Sequence, residues 1–332
     1  MTDSYTAALV DAFTDEPLTG NTAGVVPDAD GLGDDQMQAI ARELAVSETA
    51  FLTDHPSADR QVRYFTPTTE VDLCGHATVA AHAYLRDRGR IDPGRHTLAT
   101  NVGTLGIEVR EETVWMTQNP PTVYERSVDY ETLATALGVD TAAFTGVGDA
   151  LPVAYASTGL PFLIVPVSFL DDLGGVTPDD DVVRELADTH DAAGVYAFTF
   201  DTLTAEATLH GRCFVPGAGV PEDPVTGTAS GACGAYLDHF GAFRGDDPGA
   251  GGATTADGES GTTTATDVSA ETGTPAEMVF EQGHYLDRPG RVRVRVGAGD
   301  DGAPAVGGRA TTTFDGEVRV PENDDDEILE AG

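Results

Sequence analysis

No lysine occurs anywhere in this chain of 332 residues; all 18 basic residues are arginine. Without lysine there is no Schiff base, which excludes pyridoxal phosphate enzymes and lysine aldolases. A Walker A loop is excluded too, because its lysine has no candidate. Long apolar runs are missing as well. The longest, around Leu160–Leu170, contains Pro161 and Pro166 and falls short of the roughly 20 residues that a membrane helix needs. Cysteine is scarce. Cys74, Cys213 and Cys233 are odd in number and lack CxxC spacing, which argues against a disulfide framework or zinc knuckle and for a reducing cytoplasm. The opening Met-Thr-Asp-Ser has no basic stretch of the kind that begins a secretory signal, so the expected location is the cytoplasm. Positive charge is also in deficit. Against 18 arginines stand 56 Asp and Glu, a formal net charge of −38. Such a surface repels phosphates, so neither nucleic acid nor an anionic membrane is an expected partner.

A hydrophobic content of 40% is nevertheless enough for a sizeable core, so the acidity reads as the solvated surface of a folded protein. The length allows one large domain or two smaller ones. An internal repeat favours two halves. Arg63-Tyr-Phe-Thr-Pro67 recurs as Arg212-Cys-Phe-Val-Pro216, and each copy is followed by a glycine-led run of small residues, Cys74–Leu85 and Thr226–Leu237. Overlaid, these match at Gly75/Gly227, Ala77/Ala229, Ala80/Ala232, Ala83/Ala235, Tyr84/Tyr236 and Leu85/Leu237, with Glu70 and Glu222 in step. An offset of about 150 residues is too long for a solenoid unit. It indicates two domains of one architecture, each with a strand, a turn and a helix.

Both repeated helices are small and apolar nearly all round, which marks helices enclosed on every side. Gly231 and Gly234 cost a helix about 1 kcal/mol each relative to alanine, and tight enclosure would explain them. Period-two and β-branched patterns suggest strands at Gln61–Phe65, Gly106–Arg110, Thr113–Met116, Val153–Ala156, Phe162–Val167, Gly194–Thr199, Ala207–Phe214, Glu277–Glu281 and Arg291–Val296. Surface helices are expected at Gly33–Leu44, Asp129–Leu137 and Pro178–Asp188. The fold class is therefore α+β, with two sheets curled around central helices. The expected division is residues 1–117 for the first half, joined by a C-terminal strand near 306–320, and 118–305 for the second. Gly245–Pro275, with no basic residue and Val268 as its one large aliphatic, reads as a solvated insertion, and 322–332 as an acidic tail.

Three residues stand out as candidates for chemistry. Glu48, set among small and apolar neighbours in Ser47-Glu-Thr-Ala-Phe51, is suited to proton transfer, although a surface glutamate after a helix fits the same pattern. His76 opens the first central helix, where free amides and the helix dipole favour anions; a capping or core histidine is the alternative. Asp223, before Pro224 and Gly227, leads into the second helix as Glu70–His76 leads into the first, and could equally be a cap. If the halves face each other, their two helix N-termini form a ready carboxylate site. His82, His190, His210, His239 and His284 are scattered without paired metal spacing, so no metal is expected. Neither a dinucleotide fingerprint nor a GxSxG elbow is present.

Taken together, Asp11-Ala-Phe-Thr14, Gly20-Asn21, Ser47-Glu48-Thr-Ala-Phe51, Arg63-x-Phe65-x-Pro67, Cys74-Gly75-His76-Ala-Thr78, Glu222-Asp223-Pro-x-Thr226-Gly227 and Glu281-Gln-Gly283 resemble, in order along the chain, the PhzF-like isomerases of phenazine biosynthesis. The resemblance implies the diaminopimelate-epimerase-like fold: two pseudo-symmetric halves, each a barrel-like, mostly antiparallel sheet around a central helix. It further implies a homodimer and a cofactor-free proton transfer on a small carboxylate substrate held in the cleft between the halves. Carried over, Glu48 is the general acid/base, with His76 and Asp223 assisting. Asn21, Ser47, Gly75, Gly227 and Thr228 contact substrate, Thr228 standing where the family often has serine. Thr22 replaces a frequent proline. Racemases of this fold use two cysteines, one at each helix start; here Cys74 is matched by Thr226, so two-thiol epimerisation and its usual amino-acid substrates are disfavoured. A two-base epimerase and a non-catalytic carboxylate-binding protein of the same fold are the alternatives.

Avoidance of lysine together with the charge of −38 points to adaptation to high salt, which screens self-repulsion. The melting temperature is accordingly expected to rise between low and molar potassium chloride, and a flat or falling dependence would refute the adaptation.

Overall fold

Two helices that are apolar on every side can be buried only if sheet wraps around them, and that requirement shapes the molecule. The computed structural model describes residues 3–147, 151–243 and 273–321. The first half comprises β1 (Asp3–Ala12), β2 (Asn21–Val26), α1 (Asp34–Leu44), β3 (Glu48–Thr53), β4 (Arg60–Phe65), β5 (Glu70–Val71), α2 (Gly75–Asp87), β6 (Gly94–Thr100), β7 (Gly103–Val109) and β8 (Val114–Thr117). There follow β9 (Thr122–Glu125), α3 (Tyr130–Leu137), β10 (Ala154–Ser157), β11 (Pro161–Pro166), α4 (Leu170–Gly174), α5 (Asp180–Thr189), β12 (Gly194–Thr199), β13 (Leu209–Val215), β14 (Val220–Asp223), α6 (Gly227–His239), β15 (Met278–Gln282), β16 (Gly290–Arg295), β17 (Ala305–Gly308) and β18 (Ala310–Val320).

The pairings repeat. In the first half the neighbours run β18, β1, β2, β3, β4, β6, β7, β8, with β2/β3 and β4/β6 parallel and β5 folded back on β4. In the second they run β9, β10, β11, β12, β13, β15, β16, β17, with β11/β12 and β13/β15 parallel and β14 folded back on β13. All other pairs are antiparallel. The antiparallel pair β8/β17 fuses the two sheets. Each sheet curls so that both its ends reach its helix: α2 packs on β1, β2, β3, β7, β8 and β18, and α6 on β9, β10, β11, β16 and β17. This is the pseudo-symmetry expected from the repeat, in the α+β, mostly antiparallel form that the resemblance implies.

His76 to Leu85 of α2 and Ala229 to Leu237 of α6 are buried without interruption. The two glycines of α6 are explained by close approach. A methyl group added at Gly231 would stand 2.9 Å from Val306 on β17, and one at Gly234 would stand 2.6 Å from Val294 on β16. On the outside, α3 and α5 cover a second apolar cluster with Val165 and Val195, and α1 covers a third with Phe51 and Phe65. Asp129 and Asp179 cap α3 and α5 by accepting first-turn amides. The insertion expected at Gly245–Pro275, up to residue 272, and the tail at 322–332 lie outside the described residues. No helix among the described residues is long and apolar enough to cross a membrane.

The repeat also places two matching ion pairs. Arg63 on β4 grips Glu70 on β5 with Nε–Oε1 and Nη2–Oε2 distances of 2.7 and 2.6 Å. Arg212 on β13 grips Glu222 on β14 at 2.8 and 2.7 Å, and its Nη1 also donates to the carbonyls of Leu173 and Val176. These bidentate forks fix the short return strand that delivers the chain to each central helix. The second pair is nearly buried, at 7% and 10% side-chain exposure, against 25% and 29% for the first. Arg212→Leu should therefore cost about 3–5 kcal/mol, because it strands the Glu222 carboxylate, while Arg63→Leu should cost clearly less. Urea unfolding of the two variants measures the difference, and equal losses would contradict it.

Candidate active site

Where β14 ends and α6 begins, and where β2 and β3 begin, the two halves meet. Glu48 opens β3 shortly after α1, so the sheet fixes its backbone, and its side chain is 23% exposed. Its Oε2 is buried and has no hydrogen-bond partner among the described residues. It lies 3.4 Å from Nε2 of His76, the second residue of α2. Ser47 Oγ is 3.2 Å from the same nitrogen. The other ring nitrogen, Nδ1, lies 3.3 Å from Cys74 Sγ. Burial foremost, and then the Glu48 charge, push the Cys74 thiol well above its ordinary range, so it stays protonated.

Asp223 approaches from the second half. Asn21 Nδ2 donates to its Oδ1 at 2.8 Å and to the Val225 carbonyl at 2.9 Å, so both amide hydrogens of Asn21 are engaged in holding the β14–α6 turn. Thr226 Oγ1 donates to Oδ2 at 2.5 Å. Gln282, at the end of β15, ties the turn further. Its Nε2 donates to the Asp223 carbonyl at 2.8 Å, and its Oε1 accepts the Thr226 amide at 3.2 Å. Removal from water raises the proton affinity of the Asp223 carboxyl. His76 and then the Thr226 hydroxyl oppose that rise, and the Glu48 charge adds to it.

Cys74 and Thr226 are the N-caps of α2 and α6, yet neither side chain caps its helix. One is turned to His76 and the other to Asp223. The first-turn amides of both helices are thus left to another acceptor, and no acidic residue occupies either first turn. The helices touch. Beside them lies a cleft of about 430 Å³ that reaches Gly75 and Thr228. Gly227, by contrast, lies beneath the Phe13 ring, and Glu48, His76 and Asp223 stand beside the cleft rather than on its wall.

The site has members that no role was assigned from the sequence. Asp11 is buried and accepts from the Leu18 amide at 2.7 Å, Thr22 Oγ1 at 2.5 Å, Arg288 Nη2 at 2.8 Å and the Thr313 hydroxyl. Arg288 also donates to the carbonyls of Thr19 and Gly20 at 2.6 and 2.9 Å, which clamps the loop before Asn21. Thr22 therefore serves this clamp, which a proline could not. Asp11 and Gln282 belong to motifs visible in the sequence; their partners are too remote along the chain to be read there. Glu48, Cys74 and His76 also bring one ligand atom each within 4.8 Å of one another, close enough for a cation to bridge, although no sequence spacing suggested a metal.

Residues 10–271 match the family model described as phenazine biosynthesis-like protein, PhzC-PhzF. This chain belongs to that family. An uncharacterized isomerase of Bacillus subtilis, YfhB, is 39% identical over 237 residues, 70% of this chain and 80% of its own length. An uncharacterized isomerase of Deinococcus radiodurans is 38% identical over 307 residues, 88% of each chain. The crystal structure of a Bacillus anthracis phenazine biosynthesis protein of the PhzF family covers 96% of this chain and 100% of its own, with TM-score 0.79 and 33% identity. A hydroxyproline epimerase of Agrobacterium vitis shares the fold alone, at TM-score 0.54 and 14% identity over 98% of this chain. The fold is thus the diaminopimelate-epimerase-like one, and the general activity of this PhzF-family member is isomerisation.

The raised proton affinity of Asp223 has a definite sign in stability. The folded state holds this proton to a higher pH than the unfolded state, so stability falls as pH rises from the ordinary value of 3.8 through the raised one, and the cost persists above it. Asp223→Asn lacks this slope. Its urea midpoint, compared with that of the native protein, should gain steadily over that window; a constant or shrinking difference would show that Asp223 ionises as readily folded as unfolded.

Proposed function

We propose that this chain catalyses a cofactor-free isomerisation in which Glu48 takes a proton from one carbon of a small carboxylate-bearing substrate and returns it to another. The observation that carries the reading is the Glu48 oxygen Oε2, buried, without a hydrogen-bond partner among the described residues, and 3.4 Å from His76 Nε2. A carboxylate oxygen left unpaired in the interior is costly and is available for a proton. In the forward half-reaction the C–H electron pair passes into the substrate's conjugated system and the proton to Oε2. In the return half Oε2 delivers a proton to a different carbon, and Glu48 is a carboxylate again. His76 and Asp223 flank this transfer, and Ser47 steadies the imidazole. The uncapped amides at Gly75 and Thr228, the helix-start residues that reach the cleft, suit the substrate carboxylate, because they offer fixed donors and the positive ends of two helix dipoles. While the proton rests on Glu48, whose side chain is 23% exposed, exchange with solvent competes with its return, so solvent hydrogen enters part of the product.

Thiol-based epimerisation draws no support from the site. Cys74 is buried with its proton retained, and the matching position is Thr226. Cys233 lies deeper in α6 and is likewise raised by burial.

The test begins with a thermal-shift screen of small carboxylates in molar salt. With the best binder in deuterium oxide, the native protein should introduce solvent deuterium at carbon. Glu48→Gln should bind the same compound and lose about 10²–10⁴-fold in the exchange rate. Undiminished exchange in the variant would remove Glu48 from the role. Binding without exchange in the native protein would leave a binding protein.

A further inference from the structure

The cleft beside α2 holds polar groups that the proton transfer does not use. Gln118 follows β8 and is only 9% exposed, yet neither its Oε1 nor its Nε2 has a hydrogen-bond partner among the described residues. Thr158 follows β10 and is 3% exposed, and its Oγ1 is likewise unpartnered. Both residues line the cleft together with Gly75 and Thr228. Room for the Gln118 amide is made by a glycine: a methyl group at Gly231 of α6 would fall 1.8 Å from Oε1. Three buried polar atoms without partners are costly unless something else meets them.

The pseudo-symmetry shows that these groups are specific to one side. The position after β1 that corresponds to Thr158 is Phe13, whose ring would be 3.0 Å from a methyl added at Gly227. Phe13 adopts φ 65°, a left-handed conformation that a bulky residue rarely takes, and it is held there by backbone hydrogen bonds to Arg309 and Arg291. The position after β17 that corresponds to Gln118 is Arg309, already paired with Asp15 and Glu112. Gly227 of α6 is therefore covered by an aromatic ring, while its counterpart Gly75 of α2 faces an open cleft with unpaired neutral donors and acceptors.

We infer that Gln118 and Thr158 form a polar subsite that recognises a neutral hydrogen-bonding group on the substrate, remote from the carboxylate and best matched by a carboxamide. The inference rests on the proposed reading of the cleft as the substrate site. A carboxamide offers a donor to Oε1 and an acceptor to Nε2, and it does so whichever way the Gln118 amide is turned. A second carboxylate would leave Oε1 unmet, and an ammonium group would leave Nε2 unmet. Between the two ends, Leu105, Met116 and Leu160 line the cleft and suit an apolar or ring-shaped body. A site built to pair a polar group discriminates strongly against an analogue that lacks it, because its own atoms are then stranded.

The test is calorimetric titration of the full chain with meta- and para-carbamoylbenzoate, benzoate and benzamide, using the native protein, Gln118→Leu and the near-isosteric Thr158→Val, with melting curves to establish that each variant is folded. The better carbamoylbenzoate should bind native protein about tenfold or more tightly than benzoate. Both substitutions should abolish that advantage and leave benzoate unchanged. Equal binding of carbamoylbenzoate and benzoate by the native protein would overturn the subsite. An advantage that survives in both variants, or failure of every probe to bind, would overturn it as well. Binding of benzamide that depends on Gln118, with no binding of benzoate, would uphold the subsite and refute the carboxylate reading of the cleft.

Discussion

A helix enclosed along its whole length must begin inside the protein, and the amides of its first turn then begin there too. This constraint acts twice here, at Gly75 and at Gly227, and the rest of the structure follows from it. The sheet has to curl until its two ends meet the helix, so β18 returns across the chain to pair with β1 while β9 takes the matching place beside β10. The helix surface has to be small, which is why alanine and glycine dominate it and why Gly231 and Gly234 sit where β17 and β16 press closest. At each start the side chain that would ordinarily cap the helix is diverted, Cys74 to His76 and Thr226 to Asp223. Two sets of donors are consequently left to an external acceptor at the place where the halves meet.

The two halves are not merely adjacent there. Asn21 of the first half holds Asp223 and Val225 of the second, and Arg288 of the second holds Asp11, Thr19 and Gly20 of the first. These contacts lie on the α6 side of the interface. On the α2 side Glu48, Ser47 and His76 are neighbours within one half, supported by β3 and the helix. Glu48 and His76 thus belong to one wall, and the second wall is positioned against it by charge-assisted hydrogen bonds that span more than 200 residues of sequence. A small misplacement of that second wall would separate Asp223 from His76 and Glu48, and on the proposed reading that is the kind of displacement to which the reaction is most sensitive.

Much of this is legible in the amino-acid sequence. The repeat exposed the pseudo-symmetry because its two copies retain the same Arg–Glu forks and the same small-residue helices. Strands such as β11, β12 and β16 were legible from apolar runs or period-two alternation. By contrast, β1 and β2 were not singled out, because segments of small residues with polar residues on both faces carry no clean period, whereas β18 falls within the strand expected near 306–320. Glu48, His76 and Asp223 were nameable as candidates, but not the pairing of Cys74 with His76, the Asp11–Arg288 clamp or the Gln118–Thr158 pair. Each of those depends on a contact set by the fold rather than by local pattern. Gln118 and Thr158 are 40 residues apart and polar, and nothing in the sequence distinguishes them from surface residues until burial does.

The excess of acidic residues sharpens what the cleft has to do. The arginines near the halves' interface are committed: Arg63 and Arg212 to the return strands, Arg288 to Asp11, Arg293 and Arg295 to Glu277, and Arg309 to Asp15 and Glu112. Among the described residues, the one charged side chain that lines the cleft is Asp72. On the proposed reading, then, no cationic side chain compensates a carboxylate bound there, and the field of the protein opposes it. Backbone amides remain, and they differ from arginine in an instructive way. Their dipoles act over the first helical turn and are fixed before the ligand arrives, whereas the opposing surface charge acts over distance and is screened to about 3 Å at 1 M salt. High ionic strength would therefore weaken the repulsion far more than the attraction. On the expected adaptation to concentrated salt, helix ends alone would hold an anion, so the composition that appears hostile to a carboxylate substrate is compatible with this site.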